Sequence, residues 1–310
     1  MSKQVLVVGS INVDYVIHTA RLPRLGETIT GRDFAMNFGG KGANQAVALA
    51  KVGCDVRMLG AVGRDRSGEL ALANLTDCGV DASAVARVNA PTGAAVITVC
   101  GGDNHIILDD GANAFVTPDM IEANAPLFDW ADTVVLQYEI PIESVLAAAR
   151  QAKQHGCRVM VNPAPAKEVP SALYPLVDLI VPNEFEAQLL TDITPTDRAS
   201  AEEAIRALLT KGCGDVVLTL GENGSAYSED GSVRFAGIYP VTRADTTAAG
   251  DSFIGGLCAK LCEGRTLSDA VAYAAAVAAI TVSRNGASVS IPTSDEVDAF
   301  LACHRLSGGL

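Results

Sequence analysis

The sequence predicts an α/β protein with a doubly wound, mostly parallel sheet and a small antiparallel β lid. From residue 133 onward, short apolar segments of strand length alternate regularly with segments of helix length, as in a parallel sheet covered by helices. Polar residues follow each of these apolar segments, and in a doubly wound sheet such residues build one crevice at the strand ends. Two insertions with short alternating stretches predict a small separate sheet.

The composition indicates a globular protein that forms one compact domain over residues 1–310. Hydrophobic residues make up 49% of the chain, and no linker or low-complexity segment divides it. The 23 Lys and Arg against 36 Asp and Glu give a net charge of −13, and the chain has no basic run that could follow a nucleic-acid backbone. It also has no signal peptide and no apolar run that could span a membrane. We therefore expect a cytoplasmic protein without nucleic-acid or membrane partners.

The eight cysteines predict neither a disulfide framework nor a zinc site. None of them forms a CxxC pair. Cys258 and Cys262 lie one helical turn apart, but nothing nearby supplies two further zinc ligands. We expect mostly buried thiols that stay reduced.

The apolar run over residues 5–11 predicts a central parallel strand that is covered on both faces. This strand would bring Asn12 and Asp14 to its carboxyl end, where open α/β sheets bind ligands. An Asn-Asp pair could equally form a turn.

The two insertions predict a lid made of segments at about 13–38 and 93–110. Pro23 and Gly26 interrupt the first insertion, which favours short strands over a crossover helix. The predicted lid strands lie at 15–18, 28–36, 94–100 and 105–108, with a turn at 101–104.

The glycine-rich segment 39–45, GGKGANQ, opens a predicted helix over 46–52. Glycines at a helix start let a ligand approach the backbone, and Lys41 and Asn44 offer hydrogen-bond donors to hydroxyl groups. The spacing is not that of a Walker loop, and a glycine-rich turn before a helix is often purely structural.

The remaining apolar runs predict strands at 56–62, 133–136, 158–161, 178–181 and 216–220, and helices at 68–78 and 269–282. After the fourth of these strands, Asn183 and Glu186 stand three residues apart at a helix start. Two oxygen-bearing side chains at this spacing can organise Mg²⁺ and its waters. They fit an N-cap with a capping box equally well, and both roles can hold together.

The segment DTTAAGDSF, residues 245–253, joins a loop of small residues to a buried helix predicted over 253–261. Free backbone N–H groups at a helix start, together with the helix dipole, favour an anion such as a phosphate. Asp251 would lie beside that anion, where a carboxylate can accept a proton from an attacking hydroxyl. The alternative is an ordinary capped helix in which Asp251 only complements the dipole.

DTTAAGDSF closely resembles the second signature of the PfkB, or ribokinase-like, carbohydrate kinases. GGKGAN resembles the first signature, PRLGET at 23–28 resembles its lead-in, and the N-x-x-E pattern lies between them, so that the resemblance runs from Gly9 to Pro292. It implies the ribokinase-like fold and an ATP-dependent kinase, most like the ribokinase group, acting on the 5-hydroxyl of D-ribose. Two alternatives remain open: a kinase for 2-deoxyribose or a nucleoside, and a non-catalytic sugar or nucleotide sensor.

The resemblance also implies the roles of individual residues. Asp251 would be the catalytic base, with the backbone of Ala248, Ala249 and Gly250 completing the anion hole. The sugar would be held by Asn12, Asp14, Gly40, Lys41, Gly42, Ala43, Asn44, Glu139 and Asp251. ATP would be held by Asn183, Thr219, Leu220, Gly221, Glu222, Asn223, Gly224, Gly250 and Asp251.

Two metal ions and a partner are implied in the same way. Glu186 would bind Mg²⁺ through water, and a monovalent cation, usually K⁺, would be held by Asp245, Thr247, Thr281, Arg284, Gly286 and Ser290. The lid segments would form a homodimer interface.

For Glu139, one of the sugar-site candidates, the simpler interpretation is a helix-start carboxylate.

Two positions bear on the finer assignment. Ribokinases often carry a His near the position of Ala275, which leaves the packing of adenine open here. Deoxyribokinases tend to carry Met at the position of Asn12. An amide there can pair with a sugar hydroxyl, which favours ribose, or it can simply cap a turn.

Overall fold

The computed structural model describes residues 3–101 and 103–306, without the side chain of Asp103. Within these residues the chain forms fourteen strands and ten α-helices. The strands are β1 (Gln4–Val8), β2 (Asn12–Thr19), β3 (Arg32–Gly39), β4 (Asp55–Gly63), β5 (Val80–Asp81), β6 (Val85–Val88), β7 (Gly93–Cys100), β8 (Asp103–Asp109), β9 (Thr133–Leu136), β10 (Arg158–Val161), β11 (Leu179–Ile180), β12 (Asp215–Thr219), β13 (Ser225–Glu229) and β14 (Ser232–Ala236). The helices are α1 (Lys41–Lys51), α2 (Arg66–Asp77), α3 (Pro118–Ala123), α4 (Pro126–Trp130), α5 (Ile142–Gln154), α6 (Glu184–Thr191), α7 (Arg198–Thr210), α8 (Ala249–Cys262), α9 (Leu267–Val282) and α10 (Ser294–Cys303).

Ten strands form one large sheet in the order β14-β13-β12-β11-β10-β9-β1-β4-β5, with β6 paired to β4. The strands from β12 to β5 are parallel, whereas β13 and β14 add an antiparallel edge. Because β1 pairs with β4 on one side and β9 on the other, the strand order reverses beside β1. Open α/β sheets bind ligands outside the carboxyl ends of their strands at such a reversal. The predicted fold class is confirmed.

Helices cover both faces of the large sheet, and β1 is buried from Val5 to Val8. On one face α8 packs against α1 and α9 through small residues. A Cβ on Gly255 would overlap Ala48 of α1, and a Cβ on Gly256 would lie 2.9 Å from Val277 of α9. This close packing brings α8 alongside α1, and these two helices carry the catalytic candidates.

The small sheet is separate from the large one and has the order β3-β2-β7-β8. Its outer pairs, β2 with β3 and β7 with β8, are antiparallel as predicted. The central pair, β2 with β7, is parallel, because both strands leave the main body in the same direction. The turn predicted at 101–104 is shorter in the structure, because β7 ends at Cys100 and residues 103 and 104 already belong to β8; Gly102 lies outside the described residues.

Three predicted boundaries near the site differ from the structure. β1 ends at Val8, so Asn12 and Asp14 belong to the first lid strand and not to the end of a central strand. Helix α1 begins at Lys41, which places residues 41–45 of the glycine-rich segment in its first turns, while Gly39 ends β3 and Gly40 is the N-cap. Helix α8 begins at Ala249, four residues before the predicted start.

The hairpin of β13 and β14 is absent from the sequence prediction. Asp230 and Gly231 connect its strands with φ values of 51° and 75°. An Asp-Gly pair between two alternating stretches is a strong hairpin signal, so the sequence did contain the information. Among the described residues, no helix combines the length and hydrophobicity that a membrane span requires.

Candidate active site

The candidate site begins where β1 and β9 end side by side. Ser10, just after β1, donates its hydroxyl to Glu139 Oε2 at 2.6 Å. The backbone N–H of Lys41 donates to the same oxygen at 2.9 Å. Glu139 is therefore a helix-start carboxylate, but it stabilises the start of α1 and not that of α5, whose first-turn acid is Glu143.

Glycines allow α1 to start directly against the segment that follows β1. Gly40 has φ 88°, a conformation that L side chains rarely adopt. A Cβ on Gly42 would lie 2.6 Å from the backbone nitrogen of Ser10. The sugar-site candidates Gly40, Gly42 and Ala43 thus serve the packing of α1, and this packing sets the place of Lys41.

Asp251 lies at the third position of α8 and is only 7% exposed. Each carboxylate oxygen accepts a hydrogen bond from α1: Asn44 Nδ2 donates to Oδ2 at 3.1 Å, and Gln45 Nε2 donates to Oδ1 at 3.0 Å. The other amide atom of Asn44, Oδ1, is buried without a hydrogen-bond partner among the described residues. A buried acceptor of this kind suits a hydroxyl donor on a ligand.

Lys41 provides positive charge inside a group of carboxylates. Burial alone would lower the pKa of Lys41, but the negative charges of Asp251, Glu139 and Glu186 raise it. Lys41 is therefore held in its charged form, between the sheet crevice and the start of α6.

Asp14 lies on β2 and faces the same group of charges. Burial, followed by the charges of Glu139 and Asp251, raises the pKa of Asp14 to about 7. A side chain on Gly39, across the strand pair, would overlap the Asp14 carboxylate. Asp14 therefore lies close to the negative charges of Glu139 and Asp251. Among the described hydrogen bonds and ion pairs, none joins Asp14 to a positively charged side chain.

Asn12 is fixed by Asn113, which the sequence analysis did not single out. Asn113 Nδ2 donates to Asn12 Oδ1 at 2.7 Å, and Asn113 Oδ1 accepts from the backbone N–H of Ile11 at 2.9 Å. A Cβ on Gly93 would overlap both amides. Because Asn12 Oδ1 is taken, the Nδ2 group of Asn12 is the part that remains available to a ligand.

The start of α8 has the geometry of an anion site. Ala248 adopts a left-handed conformation with φ 60° just before the helix. Ala249 N–H donates to Thr246 O at 3.2 Å, which engages one of the predicted anion-binding groups. The N–H groups of Gly250 and Asp251 have no acceptor among the described residues, as expected for the first turn of a helix.

Asn183 and Glu186 form the capping box of α6. Asn183 Oδ1 accepts from Glu186 N at 2.9 Å, and both carboxylate oxygens of Glu186 accept from Asn183, at 2.8 Å from the backbone N–H and 3.0 Å from Nδ2. Burial raises the pKa of Glu186, against hydrogen bonding from Asn183 and the charge of Lys41, which lower it. The capping role is present, and the Mg²⁺ role stays a prediction.

The predicted nucleotide-contacting turn follows β12 and adjoins the start of α6. Thr219 donates its backbone N–H to Pro182 O at 2.9 Å, directly before Asn183. Gly221, Glu222 and Asn223 form a short 3-10 turn closed by Gly224, whose φ is 88°. The side chain of Leu220 is buried in the core, so this residue has only its backbone to offer a nucleotide.

Asp245 joins the loop before α8 to the loop after α9. Its Oδ1 accepts from Thr247 N at 2.9 Å and Thr247 Oγ1 at 2.7 Å, and its Oδ2 accepts from Gly286 N at 3.0 Å. Burial opposes these hydrogen bonds, but together they lower the pKa of Asp245. A carboxylate that stays ionised and links two loops is a suitable centre for a cation site.

The other candidate cation ligands turn their side chains elsewhere. Thr281 Oγ1 donates to Val277 O at 2.9 Å, and Ser290 Oγ donates to Ala287 O at 2.7 Å. Arg284 pairs with Glu296 at 2.6 Å. Arg284 would therefore reach a cation through its backbone carbonyl. The hydroxyls of Thr281 and Ser290 donate, but each can still offer a lone pair.

Several polar residues of the site carried signals that the sequence analysis did not use. Gln137 and Asn162 stand at the ends of β9 and β10, where polar residues were noted without a role. Gln45 lies within the glycine-rich segment, and Ser10 immediately follows Gly9. Their partners are distant in sequence, which explains why spacing alone did not reveal them.

Comparisons with known proteins show which proteins this chain is similar to. The family model described as "pfkB family carbohydrate kinase" matches residues 2–294. The ribokinase of Haemophilus influenzae is 38% identical over 303 residues, covering 97% of this chain and 99% of that protein. The deoxyribokinase of Salmonella typhi is 33% identical over 304 residues, covering 97% and 99%. The structure of Arabidopsis thaliana ribokinase complexed with ribose and ATP superposes with a TM-score of 0.92 at 33% identity, covering 97% of this chain and 99% of that one.

The raised pKa of Asp14 predicts that Asp14→Asn stabilises the ligand-free protein at pH 8. A carboxyl whose pKa rises on folding contributes fully to stability below its unfolded pKa, and that contribution is lost as the pH rises through the folded value of about 7. The loss is at most about 4 kcal/mol. Urea unfolding at pH 4 and pH 8 measures it.

We expect the stability difference between Asp14→Asn and the wild type to favour the variant more at pH 8 than at pH 4. The control is Asp298→Asn, which changes an exposed carboxylate on α10. The interpretation is wrong if Asp14→Asn and wild type lose stability equally between the two pH values.

Proposed function

We propose that this chain, which belongs to the pfkB family of carbohydrate kinases, transfers the γ-phosphoryl group of ATP to the 5-hydroxyl of D-ribose. The observation that carries the proposal is the position of Asp251. It is a buried carboxylate, oriented by two amide donors, in the same helical turn as the N–H groups of Gly250 and Asp251, which have no acceptor in the described part of the chain. This places a proton acceptor beside a site for the transferring phosphoryl group.

In this proposal the sugar lies between β2 and the first turn of α1. Asp14, Lys41 and Glu139 provide charged partners for its hydroxyls, and the unpartnered Asn44 Oδ1 accepts a hydroxyl proton. Asp251 then accepts the proton of the 5-hydroxyl as the oxygen attacks the γ-phosphorus. Such transfers have a loose transition state, so catalysis is mainly positioning and charge stabilisation.

The phosphates of ATP require local positive charge in a chain whose net charge is −13. The start of α8 and the charged Lys41 supply part of it. Among the described residues no group of three or more His, Cys, Asp or Glu side chains is arranged to hold a metal. This fits Mg²⁺, which keeps several waters and binds mainly phosphate oxygens, with Glu186 orienting a water. When bound, Mg²⁺ neutralises charge on the phosphates.

The nucleotide would lie along the turn after β12. Thr219, Gly221, Glu222, Asn223 and Gly224 offer backbone and polar groups there, next to the Asn183 cap. Ala275, half-buried on α9, leaves more room beside the base than a histidine would.

A monovalent cation, K⁺ in the proposal, would bind behind the anion hole. Asp245 already connects Thr247 with Gly286 through hydrogen bonds. A cation held there, with the help of Thr281, Arg284 and Ser290, would fix the loop that leads into α8.

We also propose a homodimer formed through the lid. The lid strands expose large apolar side chains, Phe34, Val96, Ile106, Ile107 and Leu108. Val96 and Ile107 pair on one face of the lid sheet, whereas Ile106 and Leu108 lie on the other. Exposed apolar side chains of this kind mark interaction sites, and a second copy of the chain would cover them. The cytoplasm is the proposed location, because the cysteines are free thiols that suit a reducing compartment.

Deoxyribose is the second candidate acceptor, since one relative at 33% identity is a deoxyribokinase. Asn12 favours ribose, because its fixed amide presents an Nδ2 donor that a sugar hydroxyl can satisfy. A non-catalytic sensor is less well supported, because it would have no use for an oriented base beside an anion site.

Asp251→Asn should lower turnover by on the order of a hundredfold or more while ribose and ATP still bind, because the proton acceptor is lost. ADP release with a panel of sugars measures turnover, and calorimetry measures binding. The matched control is Asp269→Asn, an exposed acid at the third position of α9. Near-normal turnover of Asp251→Asn would remove this residue from the mechanism.

Turnover should rise on adding K⁺, because a cation behind residues 245–250 would hold the anion-hole backbone in place. Asp245→Ala should reduce that response. Asp81→Ala is the control, since Asp81 also accepts from a backbone N–H two residues on, that of Ser83 at 2.9 Å. Equal wild-type rates in Na⁺, K⁺ and a bulky organic cation contradict the cation site.

Asn12→Met should shift the preference from ribose toward 2-deoxyribose. An amide left without its hydroxyl partner costs roughly 1 to 3 kcal/mol, or about five- to a hundredfold in specificity. The measurement is kcat/KM for both sugars in both proteins, with Asn104→Met on the exposed strand β8 as control. Equal wild-type values, or an unchanged ratio in Asn12→Met, refute the role of Asn12.

A further inference from the structure

We propose that Gln45 and Gln137 are positioning residues that orient the Asp251 carboxylate through a directional chain of buried amides. The inference rests on the proposed function of Asp251 as the base. It adds two residues that lie outside the sugar and nucleotide sites.

The chain consists of three side-chain amides that end on Asp251. Gln137 Nε2 donates to Gln45 Oε1 at 2.6 Å. Gln45 Nε2 donates to Asp251 Oδ1 at 3.0 Å and to Asn162 Oδ1 at 3.1 Å. Asn162 Nδ2 donates to the backbone oxygen of Val181 at 3.0 Å. The base on α8 is thereby connected to the ends of β9, β10 and β11.

The direction of this chain of hydrogen bonds is set by a backbone carbonyl, which can only accept. The carbonyl oxygen of Val181 can only accept, so Asn162 must present Nδ2 to it and keep Oδ1 for Gln45. Gln45 must then direct Nε2 toward Asn162, which also directs it toward Asp251. With the opposite orientation, Gln45 Oε1 would face two acceptors.

Gln137 completes this orientation at a cost to its own hydrogen bonding. Its Nε2 serves Gln45 Oε1, while its own Oε1 is buried without a partner among the described residues. That oxygen lies against Gly9, where a Cβ would overlap it. An apolar side chain would avoid the unsatisfied oxygen but would leave Gln45 Oε1 without a donor, so the hydrogen bond to Gln45 accounts for an amide at position 137.

Gln45 differs from Asn44, the other donor to Asp251, in its access to ligand. Gln45 is 0% exposed, so it cannot contact the sugar. Asn44 carries the unpartnered oxygen that suits a sugar hydroxyl. When the sugar engages Asn44, the hydrogen bond from Gln45 remains to hold the plane of the Asp251 carboxylate.

Gln45→Met keeps the volume of the side chain and removes its three hydrogen bonds, with Asp251, Asn162 and Gln137. We expect kcat to fall by about ten- to a hundredfold, the usual effect of losing a hydrogen bond to a charged group. The KM for ribose and the calorimetric affinity for ribose should stay within about twofold, because Gln45 does not touch the sugar. Gln137→Leu, which leaves every contact of Asp251 in place, should lower kcat by a smaller factor with the same unchanged KM.

The control is Asn124→Ala, which removes an amide that donates to Met120 O at 2.8 Å outside the site. Its kcat should match the wild type. Thermal unfolding of each variant separates misfolding from mispositioning. If Gln45→Met does not fold, the kcat and KM of Gln137→Leu test the inference in its place. A kcat within twofold of wild type in Gln45→Met, or a change confined to KM, overturns the inference. Absence of sugar phosphorylation by the wild type would instead refute the proposed function.

Discussion

The structure depends on the burial of several carboxylates around one lysine. Asp251, Glu139 and Glu186 all act on Lys41, and Asp14 feels the charges of Glu139 and Asp251. Isolated carboxylates in such a place would be costly to bury unless hydrogen bonds or opposite charge compensate them. Each one except Asp14 accepts described hydrogen bonds: Glu139 at the start of α1, Glu186 in its capping box, and Asp251 from two amides. Asp14 is left with a raised pKa, and a bound polyhydroxyl ligand would supply the donors that it lacks.

Close backbone packing makes this arrangement possible. Gly42 lets the start of α1 lie against Ser10, and Gly255 lets α8 lie against Ala48 of α1. As a result the amides of Asn44 and Gln45 on α1 reach the carboxylate of Asp251 on α8. Gln45 and Asp251 are 206 residues apart in the sequence. The geometry of the candidate site is thus a consequence of where small residues allow two helices to approach.

The local sequence predicted those features that local chemistry determines. Strands β1, β4 and β9 to β12 of the large sheet, the lid and the helix that carries Asp251 follow from periodicity and small residues, and the capping box of Asn183 and Glu186 follows from their spacing. The end of β1 could not be predicted in this way. Ile11 is as buried as the strand residues, although the backbone has already left the sheet at that point. The start of α1 was placed too late, because tertiary packing overrides the low helix propensity of Gly42. The amide chain could not be predicted, since Gln137 and Gln45 are 92 residues apart and only the fold brings them together.

In the proposed function, the site directs phosphoryl transfer to one hydroxyl of one sugar. The most direct test is the position of the phosphate on the product, measured by carbon-13 and phosphorus-31 NMR after incubation with labelled ribose, ATP and Mg²⁺. We expect phosphorus–carbon coupling at C5 and stoichiometric ADP. A phosphate on another carbon, or no ribose-dependent ADP, would contradict it.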